Sequence, residues 1–372
     1  MEFKRCTRCV MDNRSDETIT FDSNGYCNYC TQALVEMKKV YFPNKEGEKR
    51  LHELISRLKK ENKDKPYDCL MGISGGLDSS YLAYLGSVKL GLRILAVHVD
   101  DGFDSEITKK NLRRLSEKAK IQLLIIKPDQ KQYNELIRAF MLAGVPNLAI
   151  PQDNVLFAGI YKAMKEKRIK TFLSGGNFAL ECILQRGNTH DPYDLRHTKD
   201  INRRFGREKI NKLPLISISQ RDIDTFILGI ETIRPLNYID YNRERALKEL
   251  NEFCGFEYYG SKHLENILTK FIQLYWFPKK FNVDKRTSHL SSMIVSGQMT
   301  REKALQILNE PLYDEEEMQK DIDLILKSLD LSRQEFEQIM NEPPKQHTDY
   351  YTSRYDKAKK VLVRIIRSIK RV

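Results

Sequence analysis

Nothing in this 372-residue chain approaches the ~18–20 uninterrupted apolar residues of a membrane-spanning helix. Its first residues, Met1-Glu-Phe-Lys-Arg-Cys6, do not form a signal peptide, and no internal repeat or low-complexity tract is visible. These absences predict a cytoplasmic protein, neither membrane-spanning nor secreted. Acidic residues are the minority charge, 51 against 63 Lys and Arg, for a net charge of +12. That balance suits an anionic partner, whether nucleotide, nucleotide-sugar, RNA or membrane surface, without choosing among them. The hydrophobic content of 41% is ordinary, and the length allows two or three domains.

Cysteine is also scarce. Four of the seven pair as Cys6-x-x-Cys9 and Cys27-x-x-Cys30, the two knuckles lying 17 residues apart. In a cytosolic chain this spacing predicts a structural zinc ribbon, closed by four thiolates, rather than disulfides. Asn24-Gly25 supplies the turn that folds one knuckle back on the other. Cys69, Cys182 and Cys254 stand in apolar surroundings and read as core residues.

The ribbon occupies residues 1–32, and a charge-rich, helix-patterned connector fills 33–65. An α/β alternation follows over 66–257, with strand-like segments at 68–73, 93–99, 121–127 and 170–174. Helix-like segments lie around 79–90, 105–119, 131–143 and 153–167. This pattern predicts a doubly wound, mainly parallel sheet with ligands at the carboxyl ends of its strands. The stretch 186–212 reads as a long loop or lid, followed by a helix at 219–230. Residues 258–372 read as an α-helical C-terminal domain.

The decisive motif is Gly72-Ile-Ser-Gly-Gly-Leu-Asp-Ser-Ser80, between a strand-like segment and a helix-like one. Gly75 and Gly76 allow positive φ and close backbone approach, and amides at the helix start point at a bound anion. Ser74, Ser79 and Ser80 add hydroxyls, and Asp78 is the loop's carboxylate. No Gly-Lys-Ser/Thr follows, so this is not a Walker loop. The loop resembles the PP-loop of ATP pyrophosphatases, a HUP-like fold class whose members split ATP into AMP and pyrophosphate. At the second strand's end, Asp100 and Asp101 are candidates for ribose hydroxyls or Mg²⁺. Asp104 reads equally well as a helix cap. After the fourth strand, Ser174-Gly175-Gly176-Asn177 forms a second glycine loop, with Glu181 one turn on as a metal ligand or base. Asp153 reads equally as a site residue or an N-cap.

Together these residues resemble the N-acetyl sugar amidotransferases, PP-loop enzymes of surface-polysaccharide and flagellin-glycan synthesis. The resemblance runs from Cys6-Thr-Arg-Cys-Val-Met-Asp12 and Phe21-Asp-x-x-Gly25-Tyr-Cys-Asn-Tyr-Cys30 through both glycine loops. It continues in Lys262-His-Leu-Glu-Asn-Ile-Leu-Thr269, Lys279-Lys-Phe-Asn-Val-Asp-Lys-Arg286, His289-Leu-Ser-Ser292 and Ser296-Gly-Gln-Met-Thr-Arg-Glu302. Residues 184–200 diverge from the family pattern, where the sugar is expected to be read.

The resemblance implies adenylation of an acetamido oxygen by ATP with Mg²⁺, then displacement of AMP by ammonia to leave an acetamidino group. It implies cations from Lys262, Lys280, Lys285 or Arg286, and a proton shuttle in His263 or Glu265. His289 reads as structural. No glutaminase nucleophile is present, so ammonia comes from solution or from a separate glutaminase subunit, with a cyclase-like companion in some relatives. The rival reading is a PP-loop tRNA-modifying enzyme for thiolation or lysidine formation, in which Cys182 is the one thiol plausibly placed. Nucleic acid is otherwise not an expected partner. A non-catalytic zinc-ribbon scaffold is opposed by the two intact glycine loops. The basic tail, 357–372, sets Leu362, Ile365, Ile366 and Ile369 on one helical face. Packing on the protein's own helices is expected there, with membrane or acidic-partner contact as the alternative.

Overall fold

In the computed structural model, which describes residues 2–260, 264–353 and 355, five strands form one parallel sheet in the order β3-β2-β1-β4-β5. They are β1 (Cys69–Gly72), β2 (Ile94–Val99), β3 (Gln122–Ile126), β4 (Thr171–Leu173) and β5 (Glu231–Ile233). Leu70 pairs with Leu95 on one side and with Phe172 on the other. β1 is thus central, and its apolar residues Cys69, Leu70 and Met71 are fully buried, as a parallel sheet covered on both faces requires. The order reverses at β1, which places a crevice between the carboxyl ends of β1 and β4.

Helices Leu77–Tyr84, Glu106–Ala119 and Arg243–Cys254 pack one face of the sheet, through Leu82, Leu115 and Leu250; Ile150–Glu166 covers the other with Ile160 and Met164. The predicted strands and helices of residues 68–174 are all present, with ends shifted by a few residues. Two expectations are corrected. Residues 231–233 form a fifth strand where no strand was expected; at three residues, β5 is too short to show a period-two pattern. The expected loop 186–212 contains the helix Leu195–Phe205, N-capped by Asp194. Its basic residues Arg196, Lys199, Arg203 and Arg204 face outward while His197, Asp200 and Ile201 are buried, so local charge hid an amphipathic helix.

Beyond residue 266 the described chain is helical, from Ile267–Phe271 to Arg333–Asn341. Trp276, Phe271 and Phe336 share a core with Tyr133 and Phe140 of the helix Gln130–Leu142. Trp276 Nε1 donates to the carbonyls of Val145 and Pro146 at 3.1 Å. Among the described residues no helix is long and apolar enough to cross a membrane. Lys262, His263 and the tail 357–372 lie outside the described residues.

Candidate active site and metal centre

The two glycine loops meet at the sheet's crevice. Gly75 has φ +79°, and a Cβ there would lie 2.6 Å from Thr108 Cγ2. Gly76, read from the sequence as free to take positive φ, does not use that freedom; it is the extended N-cap of the helix Leu77–Tyr84, at φ −72°. A Cβ there would come 2.6 Å from Glu265 Oε1, so a larger residue would have to displace that carboxylate. Gly175 packs directly on the first loop, where a Cβ would stand 3.0 Å from the Ser79 nitrogen. The second glycine loop thus abuts the start of the first loop's helix.

A cavity of about 880 Å³ opens over both loops, lined by Ser74, Gly76, Asp78, Ser79, Ser174, Gly175, Gly176, Glu181 and Glu265. Asp101 also lines it, buried, accepting from Tyr133 Oη (3.1 Å), Gln152 Nε2 (2.7 Å) and Asn266 Nδ2 (3.0 Å). Burial raises its carboxyl above the usual range despite these donors. Lys285, Arg286 and His289 also line the cavity, with Gln185, Asn188 and Thr189 from the segment expected to read the sugar.

Other candidates fall outside the cavity lining. Ser80 is fully buried, because it occupies the core side of the helix that starts at Leu77. Asp100 turns away and pairs with Lys127 at 2.9 Å. Asn177 caps its own short helix by accepting from the Leu180 N–H at 2.9 Å. Lys280 is buried against the carbonyls of Ile339 and Glu342. Gly75 contributes only its backbone turn. Asp104 is no helix cap, since Ser105 fills that role, and Asp153 lies in the first turn of a helix whose N-cap is Ala149; both line the cavity.

Lys285 differs from the other cations. Its ammonium has no hydrogen-bond or ion-pair partner among the described residues, and lies 5.5 Å from the Phe277 ring centroid. Burial lowers its pKa to about 8, against the opposing charge of Asp16. Arg286, by contrast, is held by Asp284 and by the carbonyls of Ile307 and Glu310.

Three site groups were not singled out in the sequence. Tyr241 Oη donates to Asp78 Oδ1, tying the loop carboxylate to the wall. His98, on β2, bonds the Ile73 carbonyl at 2.9 Å and Asp104 at 2.8 Å. Burial opposes its charged form, yet the Asp104 carboxylate raises its pKa overall. Arg243 lies over the Tyr258 ring, 4.9 Å from its centroid. A histidine ending a buried strand ahead of several aspartates was a readable signal; the two long-range contacts left none.

The four knuckle cysteines are buried and unbridged, with all their sulfurs within 4.8 Å of one another. Cys6 and Cys30 sulfurs are 3.7 Å apart, and those of Cys9 and Cys27 3.6 Å. A tetrahedral zinc with bonds of about 2.3 Å requires sulfurs about 3.8 Å apart, so the donor set fits such an ion. The amides of Cys9, Cys27 and Cys30 point at knuckle sulfurs, as thiolate ligands require.

The parallel sheet order and its glycine loops are those of the PP-loop ATP pyrophosphatase fold. Residues 265–364 match the family model described as LPS biosynthesis protein WbpG-like, C-terminal domain. That match spans the described C-terminal helices from Ile267 to Asn341. This match bears out the family resemblance read from the 262–302 block. No curated protein matches the chain. Among solved structures, NAD⁺ synthetase from Burkholderia pseudomallei is similar at 13% identity and a TM-score of 0.31, over 61% of this chain and 99% of that one. The U34-tRNA thiolase NcsA from Methanococcus maripaludis, with its [4Fe-4S] cluster, is similar at 16% identity and a TM-score of 0.32, over 82% and 89%. At these scores neither likeness adds to what the sheet order shows.

Proposed function

We propose that the cavity binds ATP across the two glycine loops and converts an acetamido group of a sugar into an acetamidino group. The observation that carries this reading is the packing of Gly175 on Ser79, which joins two anion-binding turns beneath one large cavity. The WbpG-like match, named for LPS biosynthesis, supports a sugar as the second substrate.

In the proposed reaction the acetamido carbonyl oxygen attacks the α-phosphorus. The bond to pyrophosphate breaks and an O-adenylated imidate forms. Ammonia adds to the imidate carbon, loses a proton, and AMP departs with the former carbonyl oxygen. Loop amides with Ser74 and Ser79 would hold the pyrophosphate, where fixed donors meet developing charge. Asp78 and Glu181 would hold Mg²⁺, which neutralises phosphate charge when bound. Lys285, with its pKa near 8 and no polar partner among the described residues, suits acceptance of the proton from the attacking amine. Ammonia comes from solution or from a separate glutaminase subunit.

Thiolation is disfavoured by the thiols. Cys182 lies outside the cavity lining, near the Ser292 carbonyl at 3.8 Å, and burial pushes its pKa up to about 12. The test is product analysis with candidate acetamido sugars, ATP and ammonium. AMP and pyrophosphate should form only with the right sugar, whose mass should change by replacement of O with NH. ADP and phosphate as main products would refute the mechanism, and salt-dependent binding of tRNA by the purified protein would favour the rival reading.

A further inference from the structure

A carboxylate lies over the anion cradle. Glu265 Oε1 accepts a hydrogen bond from Ser74 Oγ at 3.0 Å, and it occupies the space a methyl group on Gly76 would need. The residue is only 8% exposed, and its Oε2 is buried with no hydrogen-bond partner among the described residues. Around it the loop amides meet neutral oxygens: Gly76 N–H donates to Ser74 Oγ at 3.2 Å and Leu77 N–H to Tyr259 Oη at 2.9 Å.

Nor is the Glu265 backbone loosely held. Its carbonyl accepts from the Ser105 N–H at 3.1 Å and from Thr108 Oγ1 at 2.7 Å. The next residue is tied through Asn266 Nδ2 to Asp101, and the Ile267 N–H donates to the Phe103 carbonyl at 2.8 Å. A fixed negative charge therefore stands where a polyphosphate would bind. Two like charges in one poorly solvated site repel strongly, whereas a hard divalent cation is held by one or two carboxylates together with phosphate oxygens. The unpartnered Oε2 is a donor of the kind such an ion takes.

We propose that Glu265 makes polyphosphate capture by the loop conditional on a divalent cation, by repelling the metal-free anion and ligating the ion that accompanies the bound one. The inference rests on reading the loop as the pyrophosphate site. It assigns Glu265 a role in selecting the metal-bound nucleotide, separate from proton transfer to or from ammonia.

The probe is inorganic pyrophosphate, with binding measured by calorimetry in Mg²⁺ and in EDTA. Wild-type protein should bind well only with Mg²⁺. Glu265→Gln should bind metal-free pyrophosphate about tenfold more tightly than wild type and gain less from Mg²⁺ than wild type does. Glu265→Met, which removes the charge at similar length, guards against a folding defect particular to one substitution. If neither variant binds pyrophosphate in EDTA more tightly than wild type, the inference is overturned. If wild type and variants all fail to bind pyrophosphate even with Mg²⁺, the assignment of the loop itself falls, and the inference with it.

Discussion

The carboxylate of Asp16, in the cysteine ribbon, accepts a 2.8 Å hydrogen bond from the backbone N–H of Arg186, in a segment that lines the cavity. The same oxygen accepts from Tyr29 Oη at 2.6 Å and from the Gly187 N–H at 3.3 Å. Asp16 is fully buried, and its charge also acts on Lys285. The ribbon therefore anchors the wall formed by Gln185, Asn188 and Thr189. Asp16→Ala should leave those donors unsatisfied, at a cost of about 1–3 kcal/mol. In kinetics it should raise the KM for the sugar several-fold while leaving that for ATP nearly unchanged. Equal effects on both substrates would show that Asp16 supports only global stability.

Metal removal should be felt in folding. One zinc per chain is expected on Cys6, Cys9, Cys27 and Cys30, measurable by elemental analysis. Cys27→Ser, or a strong chelator, should lower the Tm because metal binding and ordering of the ribbon are coupled. Cys69→Ser should leave the metal content unchanged. Arg301 links this event to the C-terminal helices, donating to the Cys6 and Cys9 carbonyls at 3.0 and 3.1 Å.

Lys285 predicts two pH dependences. Its folded pKa, lowered by burial to about 8, lies below the unfolded value of about 10.4. Between these values the unfolded chain binds the extra proton, so stability should rise with pH across that window. Lys285→Met should flatten this rise in thermal-denaturation scans. As a proton acceptor, Lys285 should also give a turnover that climbs through pH 8 to a plateau. Activity falling over that range would instead assign it a purely cationic role.

A histidine cluster predicts acid sensitivity at the C-terminal end of the described chain. His347 Nδ1 lies 3.3 Å from His197 Nε2, and the rings of His190 and His197 are 4.6 Å apart. Burial, reinforced by the neighbouring histidines, lowers His197 to about 4 and His347 to about 2. Both fall below the usual value near ~6.5, so their stabilising effect is complete above that pH and is lost as pH falls toward 4. Beside them, Asp194 and Asp200 hold the backbone N–H groups of Ser353 and Tyr351. His347→Gln should flatten the loss of Tm between pH 6.5 and about 4; an unchanged slope would place the acid sensitivity elsewhere.

Tyr241→Phe tests the tether on Asp78. Because the phenol donates to that carboxylate, its loss should lower turnover by about tenfold with little change in Tm. Turnover equal to wild type would show that Asp78 needs no such positioning.

The glycine loops, the knuckles and most of the sheet were legible because each is encoded locally. Glycine pairs at strand ends, Cys-x-x-Cys spacing and apolar runs of strand length act within a few residues. Where the cavity lining departs from the sequence reading the cause is shared. Ser80, Asp100, Asn177 and Lys280 match the site by chemical type and nearness to a motif, but the helix start at Leu77, the Lys127 pair, a local cap and two carbonyls hold their side chains outside the lining. The helix Leu195–Phe205 and strand β5 took shape from packing that their own residues only weakly announce.

The sequence by itself determined the PP-loop class, the cysteine donor set and the α/β order, since these follow from backbone freedom, ligand chemistry and periodicity along the chain. Tertiary structure alone decided that Asp16 would hold the cavity wall, that Tyr241 would tether Asp78 and that Glu265 would lie over Gly76. Each joins groups more than 150 residues apart. Such pairs carry no local signature, because their energies arise only when folding excludes water around them and leaves a buried charge with the partners the fold provides.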